Sequence, residues 1–117
     1  MSSAAPNPPE RSATEVVVVF TTVANAEDAQ RVARHLVQQR LAACVQIDAP
    51  IRSVYCWKGE TQEETEYRLS AKTTRGRLPE LRHSLEKVHP YDVPEILALP
   101  VIDGNEAYLQ WVADEVA

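Results

Sequence analysis

The run Val16-Val17-Val18-Val19-Phe20 constrains this chain more than any other feature. Five consecutive β-branched and aromatic residues are too few for a helix and offer no polar side, so they call for a strand buried on both faces. Such a strand belongs in the middle of a sheet, with other elements packed over it. The rest of the chain can supply them: 117 residues, 44% hydrophobic and 25% charged, is ordinary usage for one folded domain.

Downstream, Asn25 predicts a helix N-cap, and Ala29, Val32, Ala33, Leu36 and Val37 form the apolar stripe of a helix over about 26–40. Residues 41–47 return to strand composition, and Pro50 predicts a bend or bulge. A hairpin follows, with strands over 51–57 and 63–73 and a turn at 59–62. On its first strand Ile51, Ser53, Tyr55 and Trp57 share a face; on its second, Thr65, Tyr67, Leu69 and Ala71 do. A second helix is expected near 77–88, with Pro79 in its first turn and His89-Pro90 as its stop. A strand over 95–102, broken by Pro100, and a short helix capped by Asn105 complete the chain.

The order β-α-β-β-α-β plus a closing helix is the split βαβ arrangement, which predicts an α+β, ferredoxin-like sandwich: an antiparallel sheet with helices on one face. Residues 1–14 carry Pro6, Pro8 and Pro9 among small polar residues and are expected to be a disordered tail, leaving 15–117 as the domain. Hairpin strands of about 8–11 residues reach roughly 26–36 Å, against ~22 Å for the first helix. The hairpin should therefore project beyond its own helices. A ribbon carrying Tyr55, Trp57 and Tyr67 would then leave apolar area and free strand edges in water, which a symmetric homo-oligomer with these residues at its interface would resolve. The alternative is that the three aromatics cover the open sheet face within one subunit.

Charge and motifs narrow the function. Seventeen acids against twelve bases give a net charge of −5, which disfavours nucleic acid and anionic membranes as partners and mildly favours a cation. Glu60, Glu63 and Glu64 make an acidic hairpin tip that either attracts cations or is simply solvated. Cys44 and Cys56 are too few for a disulfide scaffold and lack the spacing of a structural zinc site. With no secretory leader and no run of ~20 apolar residues, the expected address is cytoplasmic. No P-loop, dinucleotide glycine fingerprint, Ser-His-Asp set or H-E-x-x-H motif occurs, so no enzyme is expected.

Several stretches carry a resemblance: Leu41-Ala42-Ala43-Cys44-Val45, Ser53-Val54-Tyr55-Cys56-Trp57-Lys58-Gly59, Glu66 leading into Lys72-Thr73-Thr74, His89-Pro90-Tyr91 with Pro94-Glu95-Ile96, and Tyr108-Leu109 with Trp111. They occur in this order at natural spacing, and over residues 15–117 the chain resembles the CutA family of divalent-cation tolerance proteins. The resemblance implies a homotrimer of ferredoxin-like subunits with hairpins reaching onto neighbours, a role in tolerance to copper and other divalent metal ions, and no catalytic reaction. No cofactor is required; copper or another divalent cation is the candidate ligand. The architecture is also similar to trimeric PII signalling proteins, which leaves open a small-molecule-binding or scaffold trimer with indirect metal effects.

Copper proposals for the family correspond here to Cys44 and His89, while a further family Cys is replaced by Phe20, which cannot ligate a metal. Read from the residues alone, Cys44 also suits a small buried hydrophobe and His89 a helix-terminal cap. Glu66, Lys72, Tyr91 and Glu95 match polar positions of the motifs. They are expected to meet in an inter-subunit cleft, either around a small polar ligand or as an ion-pair network.

Overall fold

The structure, a computed structural model, describes residues 12–117. In chain order the elements are β1 (Val16–Val23), α1 (Ala26–Gln38), β2 (Cys44–Ile47), β3 (Ile51–Trp57), β4 (Glu60–Thr74), α2 (Leu78–Val88), β5 (Leu97–Pro100) and α3 (Glu106–Val116). This is the predicted β-α-β-β-α-β order with its closing helix. The sheet runs β2-β4-β1-β5, and β3 pairs with the part of β4 that β2 does not reach; every pairing is antiparallel. β1 lies between β4 and β5, as its uninterrupted apolar run requires, and Val16, Val17, Val19 and Val23 are buried.

Alternation along the strands sorts the two faces. Val19, Val23, Leu69 and Ala71 pack with Ala29, Val32, Ala33 and Leu36 of α1 and with Leu81 and Leu85 of α2 in a single core. The opposite face carries Phe20, Arg68, Ser70 and Lys72, with Gln46 and Cys44 of β2 in register beside them. α1 and α2 thus take the expected side, while Tyr108 of α3 meets Cys44 on the other, where α3 buries Val112 and Val116. Both predicted caps form. Asn25 Oδ1 accepts the Asp28 N–H at 2.8 Å and Asn105 Oδ1 the Tyr108 N–H at 3.1 Å, each satisfying a donor that its helix leaves unpaired.

Three boundaries differ from expectation, each for a local reason. β2 begins at Cys44 rather than 41 because the N–H groups of Leu41 and Ala42 both donate to Leu36 O, at 2.9 and 3.2 Å, and so finish the end of α1 instead of joining the ladder. The hairpin turn is Lys58-Gly59, with φ of 50° and 81°, so Glu60 and Thr61 are already strand. Both turn residues having positive φ is the signature of a two-residue hairpin whose twist suits the flanking strands. Finally, residues 1–11 of the expected tail lie outside the described residues, but Ser12–Thr14 pack onto the domain: Gly76 N–H donates to Ala13 O at 2.8 Å. A Cβ at Gly76 would stand 3.0 Å from that oxygen, so the contact needs glycine.

β4 is 15 residues long, and only its second half is sheathed by other strands: β1 pairs with 67–74 and β2 with 69–72. Residues 60–66 pair with β3 alone. The result is the predicted projecting ribbon, about 23 Å of two-stranded sheet at strand rise, in a molecule 59 Å long and 25 Å thick. Its register separates the three aromatics expected together. Tyr55 and Trp57 stand opposite Gln62 and Glu60, on the face of Glu64 and Glu66. Tyr67 falls on the alternate face, half-buried against the core, because one step along a strand reverses the side chain. Among the described residues, no helix is long and apolar enough to cross a membrane.

Candidate functional site

Where the ribbon meets the segment after α2, an open groove of about 780 Å³ forms. One wall is the face of the ribbon that Tyr67 does not share, with Ser53, Tyr55 and Trp57 from β3 and Gln62, Glu64 and Glu66 from β4. The other is the loop 91–95, contributing Tyr91, Asp92 and Glu95.

His89 sets that loop. His89-Pro90 ends α2, and the imidazole, 7% exposed, turns into the sheet. Its Nδ1 accepts the Tyr91 N–H at 3.1 Å, so the proton of the neutral ring sits on Nε2, which lies 3.0 Å from both Thr22 O and Thr21 Oγ1 and donates to this pair. Burial lowers the affinity of the ring for a second proton, the Thr22 carbonyl opposes this in part, and the charge of Arg31 adds to the lowering. The ring of Tyr91 packs 5.0 Å from that of His89, and its hydroxyl donates to Glu66 Oε2 at 2.9 Å. Burial, the bond to Glu66 and its charge all push the Tyr91 phenol upward, so Tyr91 stays a donor across the working pH range. Tyr55 is raised too, by desolvation and by its hydrogen bond to Glu64.

The groove is one-signed. Glu64, Glu66, Asp92 and Glu95 line it, and among the described residues no Lys, Arg or His does. Glu66 is 8% exposed, and among the described residues it has the phenol as its hydrogen-bond donor and no ion pair. A carboxylate so placed, with only a neutral partner, draws a cation toward it.

The residues singled out from the sequence divide between two places. Glu66, Tyr91 and Glu95 converge in the groove, with Tyr55 and Trp57 beside them. Lys72 does not join them within the chain. It sits six residues further along β4, roughly 20 Å at strand rise, where it stands opposite Cys44 and donates from Nζ to Gln46 Oε1. Cys44, half-buried, faces Tyr108, whose phenol is raised by burial and by this neighbour. Cys44 and His89 are also apart: His89 bonds Thr21, which shares the helix-facing side with Val19 and Val23, whereas Cys44 shares the opposite side with Lys72. Phe20 lies under the Arg68 guanidinium, 5.4 Å from it, and Arg68 pairs with Asp48 at 2.9 Å.

A copper centre built from Cys44 and His89 in one chain therefore does not fit these residues. Both imidazole nitrogens are already engaged, and among the described residues no three His, Cys, Asp or Glu side chains are grouped to hold a metal ion. Cys56 is exposed on the ribbon opposite Thr61, on the face away from the groove. Glu64, expected in the acidic hairpin tip, lines the groove instead, and Asp92 joins it without having been expected at any site. The alternation Gln62-Glu64-Glu66 was the signal for the first; the loop that delivers Asp92 has no periodicity to read.

Comparison with known proteins gives a consistent result. The CutA1 divalent ion tolerance protein family model matches residues 17–115. The "Divalent-cation tolerance protein CutA" of Thermus thermophilus is 45% identical over 97 residues, covering 83% of this chain and 94% of that protein. The "Protein CutA, chloroplastic" of Arabidopsis thaliana is 43% identical over 96 residues, 82% of this chain, which spans only 53% of that longer relative. The solved structure of the Thermus thermophilus divalent cation tolerance protein superposes with a TM-score of 0.85 at 43% identity, over 87% of this chain and 99% of that one. Motifs, fold and sequence agreement thus place the chain in the CutA1 divalent ion tolerance family.

Proposed function

We propose that this protein acts, without catalysis, as a homotrimeric divalent-cation response protein whose groove attracts cations through its carboxylates. The observation that carries the reading is the four-carboxylate lining of a groove in which no basic side chain lies among the described residues. Four like charges around one concavity raise the local concentration of any cation, and divalent ions more than monovalent ones. Because no tight ligand set is preformed among the described residues, binding is of modest affinity and copper is one of several candidate divalent ions. The names of the relatives point the same way. The ribbon with its single pairing partner, and the exposed Val54, Leu97, Leu99 and Ile102, support assembly. Cytoplasmic residence is proposed from the free thiols Cys44 and Cys56, which suit a reducing compartment.

Calorimetric titration with Cu(II) and Zn(II) tests the groove. Glu64→Gln with Glu66→Gln should weaken binding about tenfold or more, and Cys44→Ala and His89→Ala should leave affinity within about twofold in protein that remains folded. Loss of binding in Cys44→Ala, with the double glutamine variant unaffected, would move the site to the other face of the sheet. The small-molecule reading is favoured by one observation: at about 780 Å³, the groove is far larger than a bare ion needs.

A further inference from the structure

We propose that the notch between the end of α1 and the start of α2 binds a phosphate group. This second cavity, of about 320 Å³, is lined by His35 and Gln39 on one side and by Arg77, Glu80, His83 and Ser84 on the other. Both helices pack on the sheet face opposite that of Leu97 and Leu99, and the inference is independent of the cation reading of the acidic groove.

The lining is rich in donors and poor in acceptors. Arg77 brings a guanidinium, His35 and His83 imidazoles, Ser84 a hydroxyl and Gln39 an amide, while among the described residues Glu80 is the one carboxylate there. Arg77 Nη1 donates to Glu80 Oε2 at 2.8 Å and Nη2 to Arg40 O at 3.3 Å, and these two partners fix the plane of the fork. His35 Nε2 and Ser84 Oγ share a proton at 2.7 Å; with the proton on the ring, the Ser84 O–H is free for another acceptor. A metal ion is the wrong occupant, because among the described residues no three His, Cys, Asp or Glu side chains are grouped to hold one.

The second, independent observation is Arg77 Nε, which is buried and has no hydrogen-bond partner among the described residues. A buried N–H of a charged group without an acceptor is rare in native structures, and a bound ion is one of the few things that explains it. An oxyanion with several oxygens can take two N–H groups of one guanidinium side by side and still accept from an imidazole and a hydroxyl, which a halide cannot do. Glu80 is the group that has to yield. Its side chain is 65% exposed, and an ion pair so placed holds weakly, so an anion carrying more charge and more acceptors displaces it at little cost.

The test titrates the full chain with inorganic phosphate, with glycerol 3-phosphate and with chloride, at one pH and one ionic strength, following the imidazole proton resonances. The chain has three histidines, and the third, His89, closes the far end of α2 and serves as an internal control. Both phosphate probes should shift the His35 and His83 signals along a saturating curve and leave His89 unmoved, and chloride should move none of the three. Arg77→Gln and His83→Gln should each weaken binding about tenfold. Glu80→Gln, which removes the competing carboxylate, should strengthen it about threefold. Glu80 and His83 are exposed, so these two variants keep the fold and decide the matter even where Arg77→Gln does not. Tighter binding of one phosphate probe names the source, free phosphate or an organic ester, and supports the site either way. Shifts that rise without saturating, an equal response to chloride, or a Glu80→Gln variant that binds no better than the parent would overturn the proposal.

Discussion

Glu66 pairs a nearly buried carboxylate with a phenol, and the two residues are 25 positions apart in sequence. Removing the Tyr91 hydroxyl leaves that carboxylate without a hydrogen-bond donor, so Tyr91→Phe should cost about 1–3 kcal/mol in urea unfolding. Pairing it with Glu66→Gln should recover part of the loss, since the orphaned charge is then gone. His89 gives a pH signature. Its proton affinity is lower in the fold than the ordinary value of 6.5, so the unfolded chain takes up the proton first. Its contribution to stability is complete above pH 6.5 and is lost as pH falls through that value towards the lower folded one. Thermal melts between pH 7.5 and 5 should show this decline, and His89→Gln should flatten it. The sequence made His89 legible as a residue with a polar task, but the expected cap uses its backbone N–H, bonded to Leu85 O, while the ring reaches back to β1. Long-range partners of this kind leave no local spacing to read. Lys72 is placed by its motif with Glu66 across a subunit boundary, and within one chain strand rise sets it opposite Cys44.

At the scale of elements, periodicity and caps were legible because they are local. Asn25, Asn105 and the apolar stripe of α1 determine helix starts and faces within a few residues, and both helices formed where these signals lie. The hairpin turn was misplaced by its own glycine. Gly59 reads from the sequence as the first turn residue, yet a two-residue turn of this hand needs positive φ at both positions, and the glycine occupies the second. Lys58, at φ 50°, carries the strain that asparagine would relieve. Gly59→Val should therefore destabilise by about 1–2 kcal/mol, although a Cβ there meets no atom within 4 Å. Lys58→Asn should raise the melting temperature. Both are read by thermal denaturation, and equal stability of all three proteins would show that the ribbon tip unfolds independently of the rest.

For the whole molecule, the length of the hairpin was readable from residue counts, whereas the register that parts Tyr67 from Tyr55 and Trp57 was not, because both strands alternate and only pairing fixes their phase. Strand edges without a partner among the described residues lie on β2, β3 and β5 and along residues 60–66 of β4. Leu97 and Leu99 stand beside the β5 edge, on the face away from α1 and α2, opposite Phe20 and Val18. Both are exposed, as are Val54 on the ribbon and Ile102 just beyond β5, the latter at 95%. Unpaired edges on the ribbon and on β5, both flanked by exposed aliphatics, suit a head-to-tail contact, and such a contact closes only as a ring. Each leucine covered contributes in proportion to its apolar area, roughly 25 cal/mol per Å², so placing charge there should undo assembly without touching the core built on Leu36, Leu69, Leu81 and Leu85. Light scattering after size exclusion should give three times the 13.1 kDa subunit mass for the parent chain and the single subunit mass for Leu97→Glu with Leu99→Glu. The variant should keep its helical far-UV spectrum and melt at a lower, concentration-independent temperature. A double variant that elutes at the parent mass would place the subunit contacts elsewhere on the sheet.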